Sequence, residues 1–233
     1  MPPKRHLLLA VAAAMLAATS AWADGYYLQS SLFRTNALTV NWVVNSGAIP
    51  EYAAWGVNKV TGTNHFNHGS GVSLEFGYAH GPWRASLECS QTDISDGYFD
   101  DSQGDVGPYS ARQRYRLAML NAYRDFRLWD RVSLFAGAGM GHGWSTLHLD
   151  NGTDHTDGSY GLFAYQFRGG VTVALAERWS FVVALRCLHV AGGVNTITFP
   201  KANFPFLQTV NTTTFTVDDA WIRSYEIGLR YTF

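Results

Sequence analysis

The last ten residues, SYEIGLRYTF, set Tyr225, Ile227, Leu229, Tyr231 and Phe233 on one parity and Ser224, Glu226, Gly228, Arg230 and Thr232 on the other. A period of two is a strand with unlike faces, one apolar and one small or polar. The same alternation recurs along the chain, and nothing after residue 23 approaches the roughly 18 successive apolar residues of a spanning helix. A chain of this pattern that enters a membrane must cross it as strands closed into a barrel, because lipid offers no partner for an open sheet edge.

The first residues point to export. Lys4 and Arg5 precede an apolar run from Leu7 to Ala18, and Ala21-Trp22-Ala23 places small residues where a signal peptidase reads them. The run is too short to span a bilayer as a helix. We therefore expect residues 1–23 to be a cleaved signal peptide and residues 24–233 to form one barrel domain. Losing Lys4 and Arg5 lowers Lys+Arg from 17 to 15 against 18 Asp+Glu, a net charge of −3, and no basic run remains. Nucleic acid is excluded as a natural partner on that ground.

Eight strands are expected, over about 26–34, 69–79, 83–92, 112–124, 131–144, 162–175, 179–190 and 221–233. Each is close to the length of a tilted spanning strand. The connections between them alternate in length: tight at 80–82, 126–130 and 176–179, long at 35–68, 93–111, 145–161 and 191–220. That rhythm predicts an all-β, eight-stranded antiparallel up-and-down transmembrane β-barrel, with short periplasmic turns and four long extracellular loops. Aromatic residues near strand ends suit two interfacial girdles, Tyr26, Trp83, Tyr123, Phe126, Trp129, Trp179, Tyr231 and Phe233 at the short-turn side and Trp144 and Trp221 at the loop side.

Alternation alone does not say which face is inside. The bulk of the apolar rows does, since they would overfill the narrow interior of eight strands. The aromatic terminus agrees, having no polar tail to soften an exposed edge. Apolar rows therefore face lipid, and the lumen receives Glu75, Arg84, Glu88, Arg114, Arg116, Gln166, Arg168, Arg186, Glu226 and Arg230. The fourth strand leaves its phase open: RYRLAMLNAYRDF sets either Leu117, Met119 and Tyr123 or Ala118, Leu120 and Ala122 on the apolar side. Buried charges require partners, so a paired Arg/Glu network is expected across the lumen. Its arginine excess would favour anions in any residual conductance. Gly137, Gly139 and Gly141 are read as inward positions that make room for bulky neighbours. Cys89 and Cys187 fall on opposite sides of such a barrel, too far apart for a disulfide.

GVSLEFGY with RASLE, LNAYRDF, FAGAGMG, FAYQFRGGV and the terminal YEIGLRYTF, in this order and spacing, resemble the eight-stranded outer-membrane β-barrels of Gram-negative bacteria, of the opacity-protein and OmpA-like type. The resemblance spans essentially all of residues 24–233. It implies residence in the outer membrane among lipid and lipopolysaccharide, as a monomer. It also implies that Tyr225, Ile227, Leu229, Tyr231 and Phe233 are the signal read by the barrel-assembly machinery.

Chemistry is sparse. His189 is followed by Val190 and Ala191, with no nucleophilic serine. His65, His68 and Ser70 supply a base and a nucleophile without a visible third member. The aspartates of TDISDGYFDDSQGD and DNGTDHTDG fit no calcium-loop spacing. No catalytic set, metal site or cofactor is expected. Phe199, Phe204, Phe206 and Leu207, in an unusually apolar segment, are the candidate contact with another surface. The leading expectation is a non-enzymatic surface protein serving envelope integrity, adhesion or host contact, with a lipid A-modifying enzyme or a narrow anion-leaning channel as alternatives.

Overall fold

The computed structural model describes residues 24–36, 38–45, 59–101, 110–150, 155–198 and 212–233. They form β1 (Gly25–Thr35), β2 (Leu38–Asn45), β3 (Lys59–Phe66), β4 (His68–His80), β5 (Trp83–Asp101), β6 (Ser110–Trp129), β7 (Val132–Asp150), β8 (His155–Ala174), β9 (Trp179–Val190), β10 (Gly193–Thr198), β11 (Thr212–Val217) and β12 (Ala220–Thr232). Antiparallel pairing runs β1–β4–β5–β6–β7–β8–β9–β12 and returns to β1, which closes a barrel of eight strands.

The remaining four segments continue the wall. β2 pairs β3 in the register of β1 with β4, β10 pairs β11 in the register of β9 with β12, and β3 continues the pairing of β4 with β5. The wall strands are thus far longer than expected, β6 and β8 reaching 20 residues each. Much of the four expected long loops is paired strand. A walk along paired residues from His80 through Trp83, Arg124, Ala136, Gly169, Leu185, Tyr225 and Arg34 returns to β4 at Ser70, ten residues along. That stagger tilts the strands by about 40°. A 20-residue strand then climbs roughly 50 Å, about twice the ~25 Å apolar band of an outer-membrane barrel.

The side chains record where the surroundings change from lipid to water. In the lower half the outer wall carries Leu28, Leu32, Leu74, Phe76, Leu87, Leu120, Met140, Phe167, Leu185, Ile227 and Leu229, all exposed, and the interior is polar. In the upper half the faces exchange roles. Leu38, Val40, Trp42, Phe66, Ile94, Tyr115, Leu117, Leu147, Tyr160, Leu162, Leu188, Val190, Val217 and Ile222 pack inside as one apolar cluster. Thr39, Asn41, Arg112, Arg116, Asp157 and Ser159 face out.

Two devices produce this exchange. On β6 and β8 the alternation of buried and exposed residues is uninterrupted, and the sequence itself changes phase. On the broken strands the chain takes a step of three instead: Thr35 and Leu38 are both buried, as are Phe66 and Gly69, and Val217 and Ala220. Thr35 still faces Gly69 and Leu38 still faces Phe66, so register is kept while the faces swap. Without that step Leu38, Val40 and Trp42 would stand in water.

The inward glycines of β7 sit where a Cβ would meet Tyr123 at Gly137, Asn121 at Gly139 and Met119 at Gly141. They make room for bulky side chains of β6, as expected. Cys89 and Cys187 are free thiols.

Candidate functional site

The interior of the membrane-spanning half holds one connected ionic layer. Arg168, from β8, donates through Nη1 to Glu75 at 2.7 Å and to the Tyr123 hydroxyl at 2.8 Å. Its Nε donates to Glu226 at 2.8 Å and its Nη2 to the other oxygen of the same carboxylate. Glu88 accepts from Arg186 at 2.8 Å, from Asn121 at 3.0 Å and from Gln166 at 3.0 Å. Tyr27 donates to Glu75 at 2.6 Å. Toward the periplasmic end Arg84 grips Asp125 with two parallel bonds of 2.6 and 2.9 Å, and Arg230 donates to Gln29 at 2.9 and 3.0 Å.

Of the residues expected in the lumen, Glu75, Arg84, Glu88, Gln166, Arg168, Arg186, Glu226 and Arg230 are buried inside. Arg114 and Arg116 are not: both face outward, Arg114 pairing with Asp93 at 2.5 Å and Arg116 donating to Gln91 at 3.1 Å. The reason is the phase change on β6, where Leu117 and Met119 face in while Ala118, Leu120 and Ala122 face lipid. Tyr123 and Asp125 are interior for the same reason, so Tyr123 leaves the expected girdle. Asp125 escapes a reading of the sequence because the parity of its strand is ambiguous there. Among the described residues the layer then holds four arginines, Arg84, Arg168, Arg186 and Arg230, against four acids, Glu75, Glu88, Asp125 and Glu226. The arginine excess disappears, and with it the basis for an anion preference.

The other side chains fall as follows. Tyr225, Ile227 and Leu229 face outward in the terminal row, with Phe233 exposed and Tyr231 half-buried at the rim. Tyr26, Trp83, Trp129, Trp179 and Phe233 ring the periplasmic end, and Trp144 and Trp221 mark the upper edge of the apolar band. Trp221 meets the His189 ring edge-on at 4.8 Å, and His189 stacks on Tyr165 at 4.5 Å. Phe199, Phe204, Phe206 and Leu207 lie outside the described residues.

A second polar feature lies on the outer wall at that upper edge. Arg34, His68, Ser70, Asp93, Ser95, Arg112 and Arg114 line a shallow depression of about 450 Å³. Here the structure supplies an acid beside His68 and Ser70, because Asp93 is the cross-strand partner of Ser70. Yet both carboxylate oxygens of Asp93 are taken, one by Arg114 and one by Gln91 at 2.8 Å. The acid that would orient an imidazole is committed to a guanidinium instead. Among the described residues no group of three or more His, Cys, Asp or Glu is placed to hold a metal ion.

Comparison with known families matches residues 6–233 to the outer membrane protein beta-barrel domain. The chain belongs to that family. It is an eight-stranded outer-membrane barrel, in keeping with an apolar outer band, aromatic edges and an ionic interior. Comparison with curated proteins finds no match. Among solved structures it is similar to the outer membrane protein OprG of Pseudomonas aeruginosa, at 14% identity and a TM-score of 0.57 over 91% of this chain and 97% of that one. It is also similar to the outer membrane protease OmpT of Escherichia coli, at 10% identity and a TM-score of 0.53 over 93% and 100%. A major outer membrane protein of Thermus thermophilus matches at 12% identity and a TM-score of 0.53 over 87% and 99%. At these identities the likeness concerns the fold alone.

Proposed function

We propose that this family member is a closed, non-catalytic scaffold of the outer membrane that raises its extracellular wall and four connections above the lipid for contact with another surface. Export by removal of residues 1–23 belongs to the same reading. The observation that carries it is the exchange of faces along the wall: an interior of paired ions below and packed apolar side chains above supports a filled barrel rather than a conduit. A wall with an apolar inside and a polar outside is what water around the upper half requires. Building such a height is of use to a molecule whose working part stands off the membrane. The commitment of Asp93 to Arg114 and Gln91 argues against hydrolysis by Ser70.

The test is a surface-binding screen with cells displaying either the intact chain or one in which residues 199–211 are replaced by a short turn. The cut spares β10 and β11, which belong to the wall. Contact that depends on the trimmed segment, with equal display and folding of both chains, is the expected result. Equal binding by both chains and by cells lacking the protein would remove the proposal.

A further inference from the structure

We propose that Arg34, Arg112 and Arg114 form a site for phosphate groups carried by lipid of the outer leaflet. Arg34, Ser70, Asp93 and Arg114 are successive register partners across β1, β4, β5 and β6, so their outward side chains share one row. Arg112 stands one outward position above Arg114 on β6, and both line the same depression as Arg34. Among the described residues, three guanidinium groups and one carboxylate line it. Asp93 engages Arg114 through Nε, and among the described residues neither Arg34 nor Arg112 has an acidic partner. Guanidinium groups in this state match phosphate oxygens, which they bind by paired, charge-assisted hydrogen bonds.

The level of the site favours lipid over a dissolved anion. Arg116, one outward position below Arg114, is the register partner of Trp144, an aromatic residue at the upper edge of the apolar band. Directly beneath Arg34 and Ser70, the exposed outward residues are Leu32 on β1 and Val72 and Leu74 on β4. An amphiphile whose phosphate met Arg34 and Arg112 would lay its acyl chains along this apolar surface. At the periplasmic end the outward Arg124 is used differently, its guanidinium lying 5.2 Å from the Trp83 ring and 5.5 Å from that of Phe126.

The experiment is native mass spectrometry of the full barrel in neutral detergent, with three separate probes: bis-phosphorylated lipid A, the same lipid with its phosphates removed, and inorganic phosphate. The chains compared are wild type, the double variant Arg34→Gln/Arg112→Gln and, as a control for lost surface charge, Arg124→Gln. Folding of each is verified by resistance to unfolding in cold detergent on a gel. The wild type is expected to retain the phosphorylated lipid selectively. The double variant should bind it at least about tenfold more weakly, with Arg124→Gln unchanged. Equal retention of the dephosphorylated lipid, or an unaltered affinity in the double variant, would overturn the site. Saturable binding of inorganic phosphate at the same concentrations would overturn its assignment to lipid.

Discussion

Arg168 on β8 and Glu226 on β12 meet inside the barrel through two parallel hydrogen bonds, although β9 separates their strands. The same guanidinium reaches Glu75 on β4, so one side chain ties three strands from within. Taking such ions out of water is costly, and the cost is recovered only while all partners remain. Arg168→Ala should therefore cost about 3–5 kcal/mol, because Glu75 and Glu226 would then lose the guanidinium that pairs with them. Replacing Arg168 and Glu226 together by Met and Leu should cost less than the sum of the single changes. Urea unfolding in lipid vesicles measures both. Additivity of the two single changes would show that the contact carries no coupling.

The neutral pairing inside the barrel bears on conduction. Among the described residues four buried arginines face four buried acids, and the packed layer of Tyr115, Leu117, Met119, Leu188 and Ile222 lies above them. A planar bilayer containing the refolded chain should show no steady conductance above leak and no preference between chloride and potassium. A stable anion-selective channel would require a path that this packing does not supply.

Much of the lower half was legible in the sequence, because lipid outside and ions inside write a single alternation onto each strand. The upper half was not, for a physical reason visible in RYRLAMLNAYRDF. Leu117 and Met119 are apolar because they face the interior above the ionic layer, and Leu120 and Ala122 because they face lipid below the edge. Two apolar sets of opposite parity overlap on one strand, and a single phase cannot be assigned to both. At Thr35 and Leu38 a step of three hides the continuation of β1 into β2. That step makes paired strand look like loop. The outer-wall arginines follow from the same overlap, since Arg114 and Arg116 inherit the parity of Ala118 and Leu120.

The apolar layer above the membrane should behave like the core of a soluble protein. Leu38 is 4% exposed within it, whereas its neighbour Thr39 faces water. Leu38→Ala is expected to cost about 2–5 kcal/mol, and Thr39→Ala to stay within about 0.5 kcal/mol of wild type. Unfolding in vesicles distinguishes them. Equal, small effects at both positions would mean that the upper wall does not pack as described.

Ser70 shares the outer-wall depression with His68 and Asp93. Because Arg114 and Gln91 occupy the Asp93 carboxylate, lipid A extracted from cells expressing the protein should carry the same number of acyl chains as lipid A from cells lacking it. Mass spectrometry reads this directly. Acyl loss that depends on the protein and vanishes in Ser70→Ala would establish an enzyme.

At the periplasmic rim Asp24 accepts a hydrogen bond from the Gly81 amide at 2.8 Å and lies 3.0 Å from His80 Nδ1. Gly81 occupies the left-handed region, with φ of 55°, in the turn from β4 to β5. The amide bond, helped by the charge of His80, holds the Asp24 carboxyl below its ordinary value of 3.8. A carboxylate depressed in this way contributes its clasp above the ordinary carboxyl range and loses it as pH falls through the lowered value. The amide proton shift of Gly81 should therefore titrate with a midpoint below 3.8, and Asp24→Asn should abolish that titration. Because Asp24 is exposed, global stability should change little in the variant. A midpoint at or above the ordinary value would show that the Gly81 amide does not hold the carboxylate.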